Sequence, residues 1–114
     1  MKVRRYEIRL YEAEDGCAPF AEWIRSFRDM RARARIEQRV NRLVAGNFGD
    51  CKPLKAANGV HELRLDFGPG YRVYFGIAGQ VIVLLLTGGD KSSQEKDIRR
   101  AVTYWNEYRE RSGQ

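Results

Sequence analysis

The chain has 114 residues, 43% of them hydrophobic, which supports one core and leaves no room for a second, so a single domain over residues 1–114 is expected. Lys and Arg outnumber Asp and Glu by 21 to 15, a formal net charge of +6 that favours an anionic partner. Cys17 and Cys51 lack ligand spacing, and no apolar run has signal-peptide or membrane-span character, so we expect reduced thiols, a cytoplasmic protein without membrane contact, and neither metal nor cofactor.

Residues 3–11 alternate loosely, with Tyr6, Ile8 and Leu10 on one side, which predicts a first strand closed by Gly16. Phe20, Trp23, Ile24 and Phe27 then fall at i, i+3, i+4 and i+7 behind Pro19, the stripe of an amphipathic helix. Ile36, Val40, Leu43 and Val44 repeat the geometry in a second helix that Gly46 stops. Residues 47–58 read as irregular. A hairpin follows, and then an apolar run, Val81 to Leu86, that suits a strand covered on both faces and broken by Gly88 and Gly89. Ser92 and Glu95 make a capping-box pattern ahead of a last helix carrying Ile98, Ala101, Val102, Trp105 and Tyr108, with a frayed tail at 111–114. The order β-α-α-β-β-β-α, in runs of each type, predicts an α+β domain whose antiparallel-dominated sheet packs against a helical hairpin and a C-terminal helix.

Residues 61–75, HELRLDFGPGYRVYF, hold the candidate site. Alternation puts Leu63, Leu65 and Phe67 on one side of the first hairpin strand and Glu62, Arg64 and Asp66 on the other; Arg72 and Tyr74 continue the polar side. A three-residue loop, Gly68 to Gly70, keeps like faces together, setting Phe67 opposite Tyr71, Asp66 opposite Arg72 and Arg64 opposite Tyr74. Arg64, Arg72 and Tyr74 then lie close to Lys91 past the next strand and to the loop of Lys52 and Lys55. Guanidinium and ammonium groups converging on a pleated surface make a phosphate site. Cross-strand ion pairs on a solvated face, Asp66 with Arg72 or Glu62 with a neighbouring arginine, explain the same charges without function. His61, the one histidine, shares the parity of Leu63, which weighs against a role as a base. The arginines from Arg25 to Arg42 suit a solvated helix face that can also guide approach to RNA. Trp23 and Trp105 sit on apolar helix stripes and are expected in the core.

The stretches GNFGDCKPL, GVHELRLDFGPGYRVYF, LLLTGGDKSSQEKDI and AVTYWNEY together resemble the HigB-like addiction-module killer branch of the RelE/ParE toxin superfamily across nearly the whole chain. The resemblance implies a compact RelE-like fold. It implies the toxin of a bacterial type II toxin–antitoxin system, restrained by an antitoxin, often of helix-turn-helix type, encoded nearby. It further implies a metal-independent endoribonuclease that cleaves mRNA on the ribosome by attack of the ribose 2′-hydroxyl on the adjacent phosphate. Arg64, Arg72 and Lys91 match basic residues of that active face. Glu62 stands where RelE carries a lysine, and Asp97 where it carries a late tyrosine, which leaves His61, Tyr74, Glu62 and Asp97 as candidates for proton transfer. Lys52 and Lys55 join Arg64, Arg72 and Lys91 as expected RNA contacts. The first and last helices are expected to dock an antitoxin helix through exposed apolar residues. Two alternatives remain: a ParE-like toxin acting on DNA gyrase without nuclease activity, and a degenerate toxin that only binds its antitoxin.

Overall fold

Each alternating run becomes a strand and each 3.6-residue stripe a helix. The computed structural model describes residues 5–55 and 59–113. In chain order the elements are β1 (Glu7–Leu10), α1 (Pro19–Arg25), α2 (Met30–Asn41) with a 3₁₀ turn (Arg42–Ala45), β2 (Cys51–Pro53), β3 (Val60–Leu65), β4 (Tyr71–Ala78), β5 (Ile82–Asp90), a second 3₁₀ turn (Lys91–Ser93) and α3 (Gln94–Arg111). The five strands form one sheet in the order β1-β5-β4-β3-β2, antiparallel except for the β1–β5 pair. The fold is α+β. The stretch after Gly46, read as irregular, contributes the short edge strand β2, where Pro53 costs no interior ladder bond.

The sheet is covered on both faces. Leu63, Leu65, Val73, Phe75, Val83 and Leu85 pack against Phe20 and Ile24 of α1 and Ile36 and Val40 of α2. On the reverse face, Val60, Tyr74, Leu84 and Leu86 pack against Ala101 and Trp105 of α3. A register shift between Tyr74 and Phe75 gives β5 one extra residue, because Tyr74 pairs with Thr87 while Phe75 pairs with Leu85. Such a bulge resets the facing of every residue beyond it in the strand.

Gly88 and Gly89 therefore lie inside β5, where the sequence suggested a break. Each admits a helix from a different side. A Cβ on Gly88 would sit 2.3 Å from Trp23 of α1, and one on Gly89 would sit 1.9 Å from Asp97 and 2.9 Å from Ser93, at the start of α3. Neither has positive φ, so close approach and not backbone freedom calls for glycine.

The hairpin differs from the expected register by two residues. Its connection is Asp66–Gly70, five residues long, and Leu65 faces Tyr71 while Arg64 faces Arg72. Gly68 and Gly70 both take positive φ, 54° and 82°, and the Gly70 N–H bonds the Phe67 carbonyl at 3.0 Å, so the chain curls earlier than a three-residue loop requires. A two-residue slide keeps every side chain on its face. Asp66 is consequently in the loop and does not pair with Arg72.

Smaller differences concern the termini. Leu10 is exposed, and the buried residue at the end of β1 is Tyr11, on the opposite face. Asp90, not a Ser92–Glu95 box, accepts the Ser92 N–H at 2.8 Å where the second 3₁₀ turn begins. Arg111 ends α3 in order, donating to the Glu12 carbonyl at 2.8 Å and lying over the Tyr11 ring. Residues 3, 4 and 114 lie outside the described residues. No described helix is long and apolar enough to cross a membrane. Among the described residues the exposed large hydrophobics are Leu10, Met30 and Val81. None of these is in α1 or α3, where Phe20, Ile24, Ala101 and Trp105 are buried and Trp23, Ile98, Val102, Tyr104 and Tyr108 stay partly exposed.

Gly88→Ala should lower the unfolding free energy by about 1–3 kcal/mol through overpacking against Trp23. Urea denaturation checks this, and the double variant Gly88→Ala/Trp23→Leu should recover part of the loss.

Candidate active site

Strand register builds the site in two rows on the face that α3 covers. Lys52 pairs with Glu62, Glu62 with Tyr74 and Tyr74 with Thr87, giving one row across β2 to β5. The next row is Arg64, Arg72 and Gly89. Directly opposed residues in an antiparallel pair have Cβ atoms about 4.5–5.5 Å apart. Arg64 and Arg72 thus share a face at neighbouring positions.

That face is largely dry. The carboxylate of Glu62 is 0% exposed, and Tyr74 and Asp97 are also buried. Gln94 Nε2, from the first turn of α3, donates to Glu62 Oε2 at 2.8 Å, and Ser93 Oγ donates to Asp97 Oδ2 at 2.5 Å. Arg72 Nε lies 3.9 Å from Glu62 Oε1, and its Nη1 donates to the Tyr71 carbonyl at 3.2 Å. At 3.9 Å the guanidinium and carboxylate attract without closing a hydrogen bond. Glu62 Oε1, Arg72 Nε and the Tyr74 hydroxyl are all buried without a hydrogen-bond partner among the described residues. Leaving such groups unpaired costs roughly 1–3 kcal/mol each.

Burial raises the Tyr74 phenol, and the negative charges of Glu62 and Asp97 raise it further, so it stays protonated and offers a donor, not a base. Burial lowers the His61 pKa below 6.5, opposed by a backbone contact at Gly59. Paired with Phe75 and stacked on its ring at 5.3 Å, His61 lies on the α1–α2 face and does not join the arginines.

Arg64 is half exposed and ion-paired to Asp50, Nη2 to Oδ1 at 3.2 Å. Exposed pairs of this kind are worth about 0–1 kcal/mol, so an incoming anion can displace Asp50. Lys91 is exposed just beyond β5. A Cβ built on Gly70 would meet Arg72 Nη1 at 3.5 Å and Lys91 Cβ at 3.7 Å, so both cationic residues border the hairpin turn at Gly70. Lys52 and Lys55 are exposed as well, Lys52 beside Glu62 across the sheet edge. The structure therefore groups Arg64, Arg72 and Lys91, sets Lys52 one row away, buries Tyr74 behind them and separates His61.

Alternation alone presents Glu62 and Arg72 as a solvated pair and does not place Gln94 in the site. The signal was present: Gln94 and Asp97 continue the stripe of Ala101, Trp105 and Tyr108 toward the start of the helix, putting polar residues at core positions.

No protein-family model matches the chain. It is 49% identical over 82 residues to an uncharacterized protein of Haemophilus influenzae, a match covering 72% of this chain and 81% of that protein. The chain belongs to the family of that protein.

Two outcomes are expected. Glu62→Leu should destabilise by about 3–5 kcal/mol by stranding the Arg72 charge, and Glu62→Leu/Arg72→Leu should restore most of it; denaturant titration of the three proteins checks this. Because the folded state resists protonating His61, the unfolded chain binds more protons below about pH 6.5, and stability should fall as pH drops through that point. A His61→Phe variant should lose that part of the slope in thermal melts taken from about pH 7 to 5.

Proposed function

We propose that this chain is the toxin of a type II toxin–antitoxin system, a HigB-like member of the RelE/ParE superfamily that cleaves mRNA, with the ribosome presenting the substrate in the cytoplasm. The observation that carries the reading is the direct opposition of Arg64 and Arg72 on one sheet face, with Lys91 beside Arg72 at the turn. Three cations at one surface, two of them planar forks, match the geometry of a phosphodiester.

In the reaction, the ribose 2′-oxygen forms a bond to phosphorus while the bond from phosphorus to the 5′-oxygen breaks. A 2′,3′-cyclic phosphate and a free 5′-hydroxyl remain. Arg72 and Arg64 donate to the nonbridging oxygens as charge grows on them, and Lys91 adds a third positive charge. Arg72 is held by the buried carboxylate of Glu62, which Gln94 fixes in turn. This gives Glu62 a positioning role, since no face of it reaches solvent. Tyr74 and Asp97 are buried, and His61 faces away. The 2′-hydroxyl proton therefore leaves to water, and water returns one to the 5′-oxygen. Charge stabilisation is the main catalytic effect, at about 3–4 kcal/mol for each donor lost.

A second reading has one observation behind it: Arg72 is only 9% exposed and already faces a carboxylate. On that account the pair is structural, and the chain acts by binding, either to gyrase in the manner of ParE or to its antitoxin alone.

Expression of the wild-type chain should arrest growth and produce codon-positioned transcript ends, and Arg64→Ala should lower cutting by about two to three orders of magnitude while the fold persists. Coexpression of the neighbouring antitoxin should restore growth. A folded Arg64→Ala protein of full toxicity would overturn the nuclease reading. Intact transcripts with accumulating DNA breaks would favour the gyrase reading, and harmless expression the antitoxin-only one.

A further inference from the structure

Beyond the hairpin face, a cleft of about 200 Å³ opens between the exposed side of α2 and the end of β3, lined by Arg35, Gln38, Arg39, Arg42, Arg64 and Phe67, with Asp66 at its rim. Four guanidinium-bearing residues thus line the cleft with one carboxylate, Asp66, while a second, Asp50, pairs with Arg64 beside it. Arg39 is anchored, its Nη1 donating to the Asn47 carbonyl at 3.3 Å and its Nη2 to the Phe48 carbonyl. Its pKa is lowered, first by burial and then by the charge of Arg42 beside it. A cluster of like charges that repel one another is a feature that a bound anion relieves. Arg42 and Arg35 are exposed, and the Arg35 guanidinium lies 3.9 Å above the centre of the Phe67 ring, which fixes its position.

The geometry points to this cleft as a second phosphate subsite for single-stranded nucleic acid, in which Arg35, Arg42 and Arg64 grip the backbone and the Arg35–Phe67 stack supports a base. Size and chemistry both favour this occupant. The cleft is smaller than the ~300–1,000 Å³ of a drug-sized ligand pocket and too small for a docked helix, yet it suits a phosphate with its sugar. Guanidinium forks match phosphate oxygens in pairs, and aromatic and arginine planes accept any base. Arg64 belongs both to the cleft and to the row containing Arg72, so a strand that displaces Asp50 from Arg64 can run from one to the other. That the strand is RNA rests on the function proposed above, whereas the phosphate chemistry of the cleft does not.

The test is binding of a short 2′-O-methyl RNA oligonucleotide, which cannot be cut, followed by fluorescence anisotropy over a salt series. Arg35→Glu/Arg42→Glu replaces two exposed side chains and spares the anchored Arg39. Its affinity should fall at least about 10-fold at 0.1 M salt, and the slope of log K against log salt should become shallower by about 1.4, two single-strand phosphate contacts at roughly 0.7 each. Arg42→Ala alone should reduce the slope by about 0.7. Unchanged affinity and slope in either folded variant would overturn the proposal, as would competition by polyglutamate as strong as that by the oligonucleotide. Because the readout involves no cleavage, the cleft stands if transcripts prove intact but binding is lost in these variants, and it alone falls if cutting persists with binding unaltered.

Discussion

Arg72 and Glu62 lie 3.9 Å apart under the first turn of α3, and the geometry of the candidate site depends on that pair. The carboxylate is buried and receives Gln94 on its other oxygen, so it has little freedom to turn away. An arginine beside a fixed, desolvated carboxylate is itself fixed. A buried pair contributes little net stability compared with apolar side chains of the same volume, while removing one partner is costly. Such a pair sets orientation more than it adds stability, and orientation is what the phosphate-binding role proposed for Arg72 needs.

The pair is closed over by α3, whose approach needs Gly89 beneath Asp97 and Gly76 beneath Trp105. The extra residue at Leu86 turns the facing of β5 so that Gly88 admits Trp23 from one side and Gly89 admits Asp97 and Ser93 from the other. The sheet is gripped at the same level from both faces. Lys91 follows directly on the end of β5, and the hairpin turn brings Gly70 within contact distance of both that lysine and Arg72. Positive charge is gathered at this end and continues over Arg64 to the arginines of α2. Opposite charge gathers elsewhere, in the shallow surface holding Glu14, Asp15, Glu107 and Glu110. Such a grouping of cations would favour approach of the anionic strand proposed above to the arginine-lined cleft.

Much of the architecture was legible because periodicity reports burial directly. The stripes through Phe20 and Ile24, through Ile36 and Val40, and through Ala101 and Trp105 each became a core-facing helix side, and the unbroken run ending at Leu86 became a strand covered on both faces. Parity likewise placed Arg64 and Arg72 on one face and His61 on the other. What misled was local: Gly88 and Gly89 resemble a breaker until the helices that press on them are known, and Gly68-Pro69-Gly70 resembles a complete loop although the turn begins at Asp66.

The sequence by itself determined which residues alternate, which form stripes, and hence the α+β class, the hairpin and the company of two arginines and a lysine. Only the tertiary structure decided that the Glu62–Tyr74 row of the polar hairpin face is dry, because polar side chains in a strand look the same whether water or a helix lies above them. Burial there depends on α3, whose first turn is separated from Glu62 by 32 positions in the chain and joined to it by one hydrogen bond from Gln94. The trace of so distant a contact is one-sided: Gln94 and Asp97 on the core stripe of α3 mark polar positions that must be buried, but periodicity does not say against what.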